Sequence, residues 1–321
     1  MKLMIQIPCL NEEQTLPVTI KDIPRQIDGV DEVEVLIIDD GSTDHTVDVA
    51  KENGVDHVVK FTNNKGLAKA FTAGLDACLK LGADIIVNTD GDNQYNGQDI
   101  PKLIKPILDG KADMVIGDRR TDNIAHFSFL KKRLQKLGSW AVRRVSGTDI
   151  ADTTSGFRAL NREAALKTNV VSDFTYTLET IIQAGKKNIA VTHVPIETNE
   201  KLRESRLFSS IRKYMQRSAT TIIRIYAMFE PLKTFSYVGG SVFLLGFLIS
   251  LRFLYFYFIG SGQGHVQSLI LAAVLFIIGF QIMVIGLVAD LISGNRKLIE
   301  DSLYRIRKLE LLSGNKSKDK E

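Results

Sequence analysis

The chain has 321 residues and 45% hydrophobic content, enough for one sizeable core with further elements added. Its two cysteines, Cys9 and Cys78, fall at the end of a predicted strand and within a predicted helix, which excludes a disulfide framework. The net charge of +4 is segregated, with −5 over the first 200 residues, +6 over 201–233 and +3 over 294–321; with no recognised nucleic-acid motif beside it, this pattern excludes nucleic acid as a partner.

The N-terminus opens directly into strand-like Lys2-Leu3-Met4-Ile5-Gln6-Ile7, without the basic region and apolar run of a signal peptide, so the globular part is expected in the cytosol. Apolar runs follow at 33–38, 57–61, 84–89 and 113–117, separated by segments of helical length, with a further run at Ile189 to Ile196. This alternation predicts an α/β domain over 1–208, a mainly parallel sheet covered by helices on both faces. The first strand ends in Pro8-Cys9-Leu10-Asn11-Glu12-Glu13, not in a Gly-x-Gly-x-x-Gly turn, which argues against a dinucleotide-binding domain. The second ends in Asp39-Asp40-Gly41-Ser42-Thr43-Asp44. Asp39 and Asp40 are suited to accept hydrogen bonds from a base N–H or ribose hydroxyls, and Ser42 or Thr43 to cap the next helix.

The run 84–89 leads into Asp90-Gly91-Asp92-Asn93-Gln94. Two carboxylates and an amide oxygen at alternate positions, past the carboxyl end of a buried strand, converge where doubly wound sheets bind ligands. An oxygen-only set suits Mg²⁺ or Mn²⁺ bridging to a substrate diphosphate, and so points to a nucleotide-bound substrate. A calcium loop fails on spacing, because Tyr95 stands where the sharp-turn glycine belongs and Pro101 where the closing Glu belongs.

In the C-terminal third, residues 209–231 are expected to form amphipathic juxtamembrane helices, with Ile211, Met215, Ile222, Ile223, Ile225 and Tyr226 interleaved with Arg212, Lys213, Arg217 and Arg224. Residues 232–293 then predict a transmembrane hairpin with spans at about 234–260 and 266–292, each exceeding the roughly 20 apolar residues a bilayer needs. The basic flanks are expected to keep the globular domain and the basic tail 294–321 in the cytosol, with His265 on the far side. The polar end after Ser313 is expected to fray.

Taken in order, Pro8-x-x-Asn11-Glu12-Glu13, Asp39-Asp40-Gly41-Ser42-x-Asp44, Asn64-Lys65-Gly66 and Asp90-x-Asp92-x-Gln94 resemble family 2 glycosyltransferases of the GT-A fold. Asp152-Thr153-Thr154-Ser155-Gly156-Phe157-Arg158 is similar to the corresponding stretch of dolichol-phosphate mannose synthases and bacterial polyprenyl-phosphate glycosyltransferases. The resemblance covers most of residues 1–210 and implies a Rossmann-like GT-A domain. It implies that Pro8, Asn11, Glu12, Asp39, Asp40, Lys65, Gly66 and Asp90 bind the donor, and that Asp90, Asp92 and Gln94 hold Mg²⁺ or Mn²⁺ on its diphosphate. Arg119 and Arg133 then bind the acceptor phosphate, although Lys132 is placed to substitute for Arg133, and both arginines also have a reading as solvated charges. The loop Lys201-Leu202-Arg203-Glu204-Ser205-Arg206 resembles a mobile acceptor loop, adding Arg203 and Arg206 to that set. Asp92, Arg119 and Asp152 are the catalytic candidates, and Asp152 stays open between general base and orienting the acceptor, a metal ligand or Arg158.

Departure of a nucleoside diphosphate is eased by a divalent ion. A phosphate monoester acceptor, with its second pKa of about 6, needs positioning more than deprotonation. A single in-line displacement inverts the sugar. The expected reaction is therefore inverting transfer of one sugar from a UDP- or GDP-linked donor to polyprenyl or dolichyl phosphate at the cytosolic membrane face, with nucleotide sugar, lipid phosphate and membrane lipid as partners, compatible with a homo-oligomer. The Gln-x-x-Arg-Trp stretch of processive polysaccharide synthases is absent, since Trp140 lies in Leu137-Gly138-Ser139-Trp140. A glycolipid or glycan acceptor, or a non-catalytic nucleotide-sugar-binding scaffold, are the competing readings; the Asp90/Asp92/Gln94 triplet weighs against the scaffold.

Overall fold

Apolar runs with no polar face to leave in water become strands buried inside a layered domain. The computed structural model describes residues 1–120, 129–172, 175–200, 211–260 and 266–318. Its strands are β1 (Lys2–Cys9), β2 (Glu32–Asp39), β3 (His57–Lys60), β4 (Ile85–Asn88), β5 (Met114–Asp118), β6 (Arg158–Asn161) and β7 (Val191–Pro195). They form one sheet in the order β3-β2-β1-β4-β6-β5-β7. On one face α1 (Leu16–Asp22) and α4 (Ile100–Leu108) supply Leu16, Ile20, Ile100, Leu103 and Ile104 to a core shared with Ile5, Ile7, Val35, Ile37 and Val87. On the other, α3 (Leu67–Lys80) lies flat because Gly74 has no side chain to meet Gln6 and Ile38.

Two features of this topology position the site. First, β2 and β3 build outward on one side of β1 while β4 pairs with the other side, all parallel, so the chain order reverses between β1 and β4 and leaves a crevice at their carboxyl ends. Second, β6 runs antiparallel between β4 and β5. The sequence reading did not include β6, whose four residues begin with an arginine and end with an asparagine and carry no apolar run. Its direction has a consequence for function, because its amino end lies at the same sheet edge as the carboxyl ends of β1, β2, β4 and β5. The Asp152–Phe157 stretch, which precedes a strand, thereby joins loops that follow strands.

By its internal packing the chain divides into Met1–Ile222 with Tyr304–Glu321, and Ile223–Leu303. In the first unit α2 (Thr46–Glu52), α5 (Phe129–Ser146), α6 (Arg162–Lys167) and α7 (Thr177–Lys186) complete the helical cover. The segment expected to hold one or two amphipathic helices is a single helix, α8 (Ile211–Phe229). In the second unit, α9 (Pro231–Phe258) and the first part of α10 (Val266–Lys318) pack through glycines. A Cβ on Gly239 would stand 2.7 Å from the Gly279 carbonyl oxygen, and one on Gly279 2.8 Å from that of Gly239, the close backbone approach typical of membrane helices. Both helices are long and apolar enough to cross a membrane, and they leave Leu244, Leu248, Ile270, Ile277 and Phe280 exposed. The tail expected to fray after Ser313 is helical through Lys318 as a continuation of α10. Within the first unit, Tyr304 Oη meets the Glu163 carboxylate at 2.8 Å and Arg307 donates to Asn169 Oδ1 at 2.9 Å, contacts that hold this extension against α6. Arg203, Arg206 and His265 lie outside the described residues, as does the side chain of Arg133.

Candidate active site

The loops after β1 and β2 are stitched together by hydrogen bonds. Asn11, held at φ 54°, donates its backbone N–H to Ser42 Oγ at 2.9 Å and accepts from the Thr43 N–H at 2.8 Å. Glu12 donates its N–H to Thr46 Oγ1 at 2.8 Å, and its carboxylate accepts from Thr15 Oγ1 at 2.6 Å. Ser42 and Thr43 are therefore tied to Asn11 and do not cap α2, whose N-cap residue is His45.

The acidic pair divides its work. Asp40 accepts from the backbone N–H groups of Lys65 at 2.7 Å and Gly66 at 2.9 Å, so both its oxygens fasten the Asn64-Lys65-Gly66 turn. Gly41, at φ 76°, lets that turn close, since a Cβ there would stand 2.6 Å from the Asn63 carbonyl carbon. Asp39, fully buried, accepts from Ser42 N–H through Oδ1 at 3.1 Å, while its Oδ2 has no partner among the described residues. A buried carboxylate oxygen without a donor is costly, and this one stands at the carboxyl end of β2.

Past β4, Asn88 donates to the Gly156 carbonyl and to Tyr176 Oη, each at 2.9 Å, and accepts from Gln6 Nε2 at 2.8 Å. This network ties the Asp90 loop to the Ser155-Gly156 stretch. A Cβ on Gly156 would come within 3.1 Å of both Asp90 oxygens, so the absent side chain makes room for that carboxylate. Burial, with the charge of Asp92 adding to it, pushes the Asp90 carboxyl up to about 7, against the pull of Arg119 and Arg158. Asp92 accepts from the Gln94 backbone N–H at 3.2 Å and from Gln94 Nε2 at 2.8 Å. Two carboxylates that repel each other in a partly desolvated site, with an amide beside them, fit a hard divalent cation. Among the described residues no group of three or more His, Cys, Asp and Glu gathers as a metal cluster, so the protein would supply these two carboxylates and the Gln94 amide oxygen while other ligands came from substrate or water.

Arg119, just past β5, reaches across this edge. Its Nε donates to Asp152 Oδ2 at 2.6 Å and its Nη2 to Asp152 Oδ1 at 3.0 Å and to Thr154 Oγ1 at 2.8 Å. Asp152 is 2% exposed. Burial alone would raise its carboxyl, but the Arg119 charge and the hydrogen bonds from Arg119 and Thr154 outweigh that and hold it below the usual carboxylate range. Of the roles open to Asp152, the geometry pairs it with Arg119 and not with Arg158. Arg158 is fully buried, packs over the Tyr176 ring at 5.1 Å, and donates to Thr177 O, Thr180 Oγ1 and Ser155 O.

Residues 4–168 match the family described as glycosyl transferase family 2. The chain belongs to that family. This glycosyltransferase is 28% identical to the undecaprenyl-phosphate mannosyltransferase of Micrococcus luteus, over 66% of this chain and 89% of that protein. It is 31% identical to the UDP-N-acetylglucosamine–dolichyl-phosphate N-acetylglucosaminyltransferase of Methanococcus voltae, over 60% of this chain and 83% of that one. Its fold is shared with glucosyl-3-phosphoglycerate synthase from Mycobacterium tuberculosis, solved with Mn²⁺, UDP and phosphoglyceric acid, at 20% identity and a TM-score of 0.55 over 71% of this chain and 78% of that one.

Pro8, Asn11, Glu12, Asp39, Asp40, Lys65, Gly66, Asp90, Asp92, Gln94, Arg119 and Asp152 of the glycosyltransferase thus lie on strands or loops at one sheet edge. Lys65 turns its ammonium over the Phe61 ring at 4.7 Å. Sequence reasoning missed the support behind them, namely Gln6, Asn88, Thr154 and Tyr176. Asn88, a polar residue in an otherwise apolar strand, was the available signal. Tyr176 lies outside every motif and gave none.

Proposed function

We propose that this glycosyltransferase moves one sugar from a UDP- or GDP-linked donor to a polyprenyl or dolichyl phosphate, with inversion, at the cytosolic face of a membrane. The observation that carries the reading is the Arg119 fork, locked by Asp152 and Thr154 and electrostatically coupled to Asp90. A fixed guanidinium beside a metal-type carboxylate pair suits the phosphate of an acceptor facing the donor diphosphate. The two relatives named for transfer to undecaprenyl and dolichyl phosphate support this acceptor class. The apolar pair α9 and α10 supports access to a lipid, and the basic flanks support a cytosolic catalytic unit with both spans' polar ends on that side.

In this mechanism Asp39 receives the base or ribose, and the Asp40-fastened turn with Lys65 and Gly66 closes over the nucleotide. Mg²⁺ or Mn²⁺ held by Asp90, Asp92 and Gln94 would neutralise charge on the departing diphosphate. An acceptor phosphate oxygen attacks the anomeric carbon as the bond to the nucleoside diphosphate breaks. The attacking group is already largely dianionic at neutral pH, its second pKa being about 6, so no base is needed. Asp152 accordingly orients Arg119. Arg133, Arg203 and Arg206 complete the acceptor site in this reading.

Membranes containing the protein, incubated with a panel of labelled UDP- and GDP-sugars and polyprenyl phosphate, test it directly. Label from one donor should enter an organic-extractable lipid, and EDTA should abolish that transfer until Mg²⁺ or Mn²⁺ is restored. Label entering only a soluble glycan would overturn the acceptor, and undiminished activity in chelator the metal.

A further inference from the structure

Trp140, the single tryptophan of the chain, is 58% exposed on α5. Burial is arranged on the opposite side of that helix, where Ser139, Val142 and Ser146 are buried and Gly185 of α7 admits the Ser146 carbonyl. Over its 18 residues α5 carries six cations, Lys131, Lys132, Arg133, Lys136, Arg143 and Arg144, and no acid. At 3.6 residues per turn, the positions of Arg133, Lys136, Arg143 and Arg144 fall within about 60° of Trp140 around the helix axis. An isolated exposed aromatic needs no explanation. A tryptophan among four cationic helix positions, of which Arg143 also lies 3.9 Å from the exposed Asp149 carboxylate, in a chain with two membrane-length helices, has the composition of a headgroup-level contact.

We propose that the Trp140 face of α5 is a membrane-docking surface, resting on the phosphate layer of anionic phospholipid with its cations paired to headgroups and the indole at the interface. The docking requires only the apolar hairpin and does not depend on the acceptor proposed above. If that acceptor is also correct, docking serves it. The buried side of α5 touches the catalytic edge through Ser139 Oγ and Thr153 Oγ1, 3.2 Å apart, next to Asp152. A docked α5 therefore holds Asp152 and Arg119 near the depth at which a lipid phosphate is presented.

The single tryptophan makes its own reporter. The full-length protein is reconstituted into vesicles of phosphatidylcholine alone or with phosphatidylglycerol, and Trp140 emission is read against lipid brominated near its headgroup and against aqueous iodide. The expected result is bromolipid quenching and protection from iodide in vesicles with phosphatidylglycerol, both lost in high salt. Each cation near an anionic surface is worth about fivefold in the docked-to-undocked ratio, so Lys136→Gln, Arg143→Gln and Arg144→Gln together should lower it about a hundredfold. Emission open to iodide and untouched by bromolipid in wild-type protein would overturn the proposal, whatever the variant does. Shielding that follows protein density and ignores phosphatidylglycerol would overturn it too, making the face a contact between copies. Failure of the lipid-transfer assay alone would leave these fluorescence results standing.

Discussion

Replacing Asp152 by Asn tests the arrangement at its most constrained point. Asp152 is 2% exposed and takes two hydrogen bonds from Arg119, whose side chain is 17% exposed. Asn keeps one acceptor, loses the charge and turns an NH₂ toward a guanidinium. Removing one partner of a buried pair costs about 3–5 kcal/mol, mostly from the charge left behind, and the residual exposure of Arg119 selects the lower end. In a unit of this size each kcal/mol lowers Tm by about 2–4 °C, so a fall of roughly 10 °C is expected in thermal unfolding. The double variant Asp152→Asn/Arg119→Gln should recover part of that loss, with a coupling energy of about 1.5 kcal/mol or more. Because the Asp152 carboxyl is held below its usual range, its contribution is present above the unfolded value of about 3.9 and disappears as pH falls through the lower folded value. The variant's deficit should accordingly persist from neutrality down to about pH 4 and shrink only below it. Lipid transfer should fall in both single variants and little further in the double. Additive stabilities, or Asp152→Asn within about 2 °C of wild type, would refute the pairing.

Asp39→Asn should weaken UDP or GDP binding by titration calorimetry with little change in Tm, whereas Asp40→Asn should cost about 1.5–3 kcal/mol of stability by loosening the Lys65-Gly66 turn; unchanged nucleotide affinity in Asp39→Asn would remove that residue from the donor pocket. Asp92→Asn should abolish transfer while leaving the unfolding transition in place, because in the proposed mechanism the carboxylate holds the metal and it is only half-buried; full activity would exclude it as a metal ligand. Gly279→Ala places a Cβ 2.8 Å from the Gly239 carbonyl oxygen and Phe243 N, and should cost about 1–3 kcal/mol in the hairpin, while Gly294→Ala, whose Cβ meets nothing within 4 Å, should be neutral or stabilising. Equal thermal stability of the two glycine variants in detergent would show that the close approach does not hold the helices together.

Much of the fold was legible because hydrophobic pattern is a local property. The apolar runs ending near Pro8, Asp39 and Asn88 mark strands wherever they fall in the chain, and the membrane-length apolar parts of α9 and α10 follow from composition alone, whereas the charged continuation of α10 to Lys318 did not. The Asp90-x-Asp92-x-Gln94 spacing likewise carries its own chemistry, since its three side chains lie within five residues. Other features depended on which strands become neighbours. The direction of β6 brings the Asp152 loop to the catalytic edge and lets Arg119 meet a carboxylate 33 residues away. Asp39 and Asp40 are adjacent and chemically identical in sequence. Only the arrival of the Lys65-Gly66 turn occupies one and leaves a buried oxygen of the other open. Which face of α5 turns inward was decided by Gly185 and Thr153, and this leaves Trp140 outside. Sequence by itself determined most of the elements and the residue chemistry, because these arise from each segment's own side chains, while β6, with no apolar run of its own, exists only through pairing with β4 and β5. The pairings came from tertiary structure, because a hydrogen bond or ion pair depends on distances that strand order and the packing of helices and loops set.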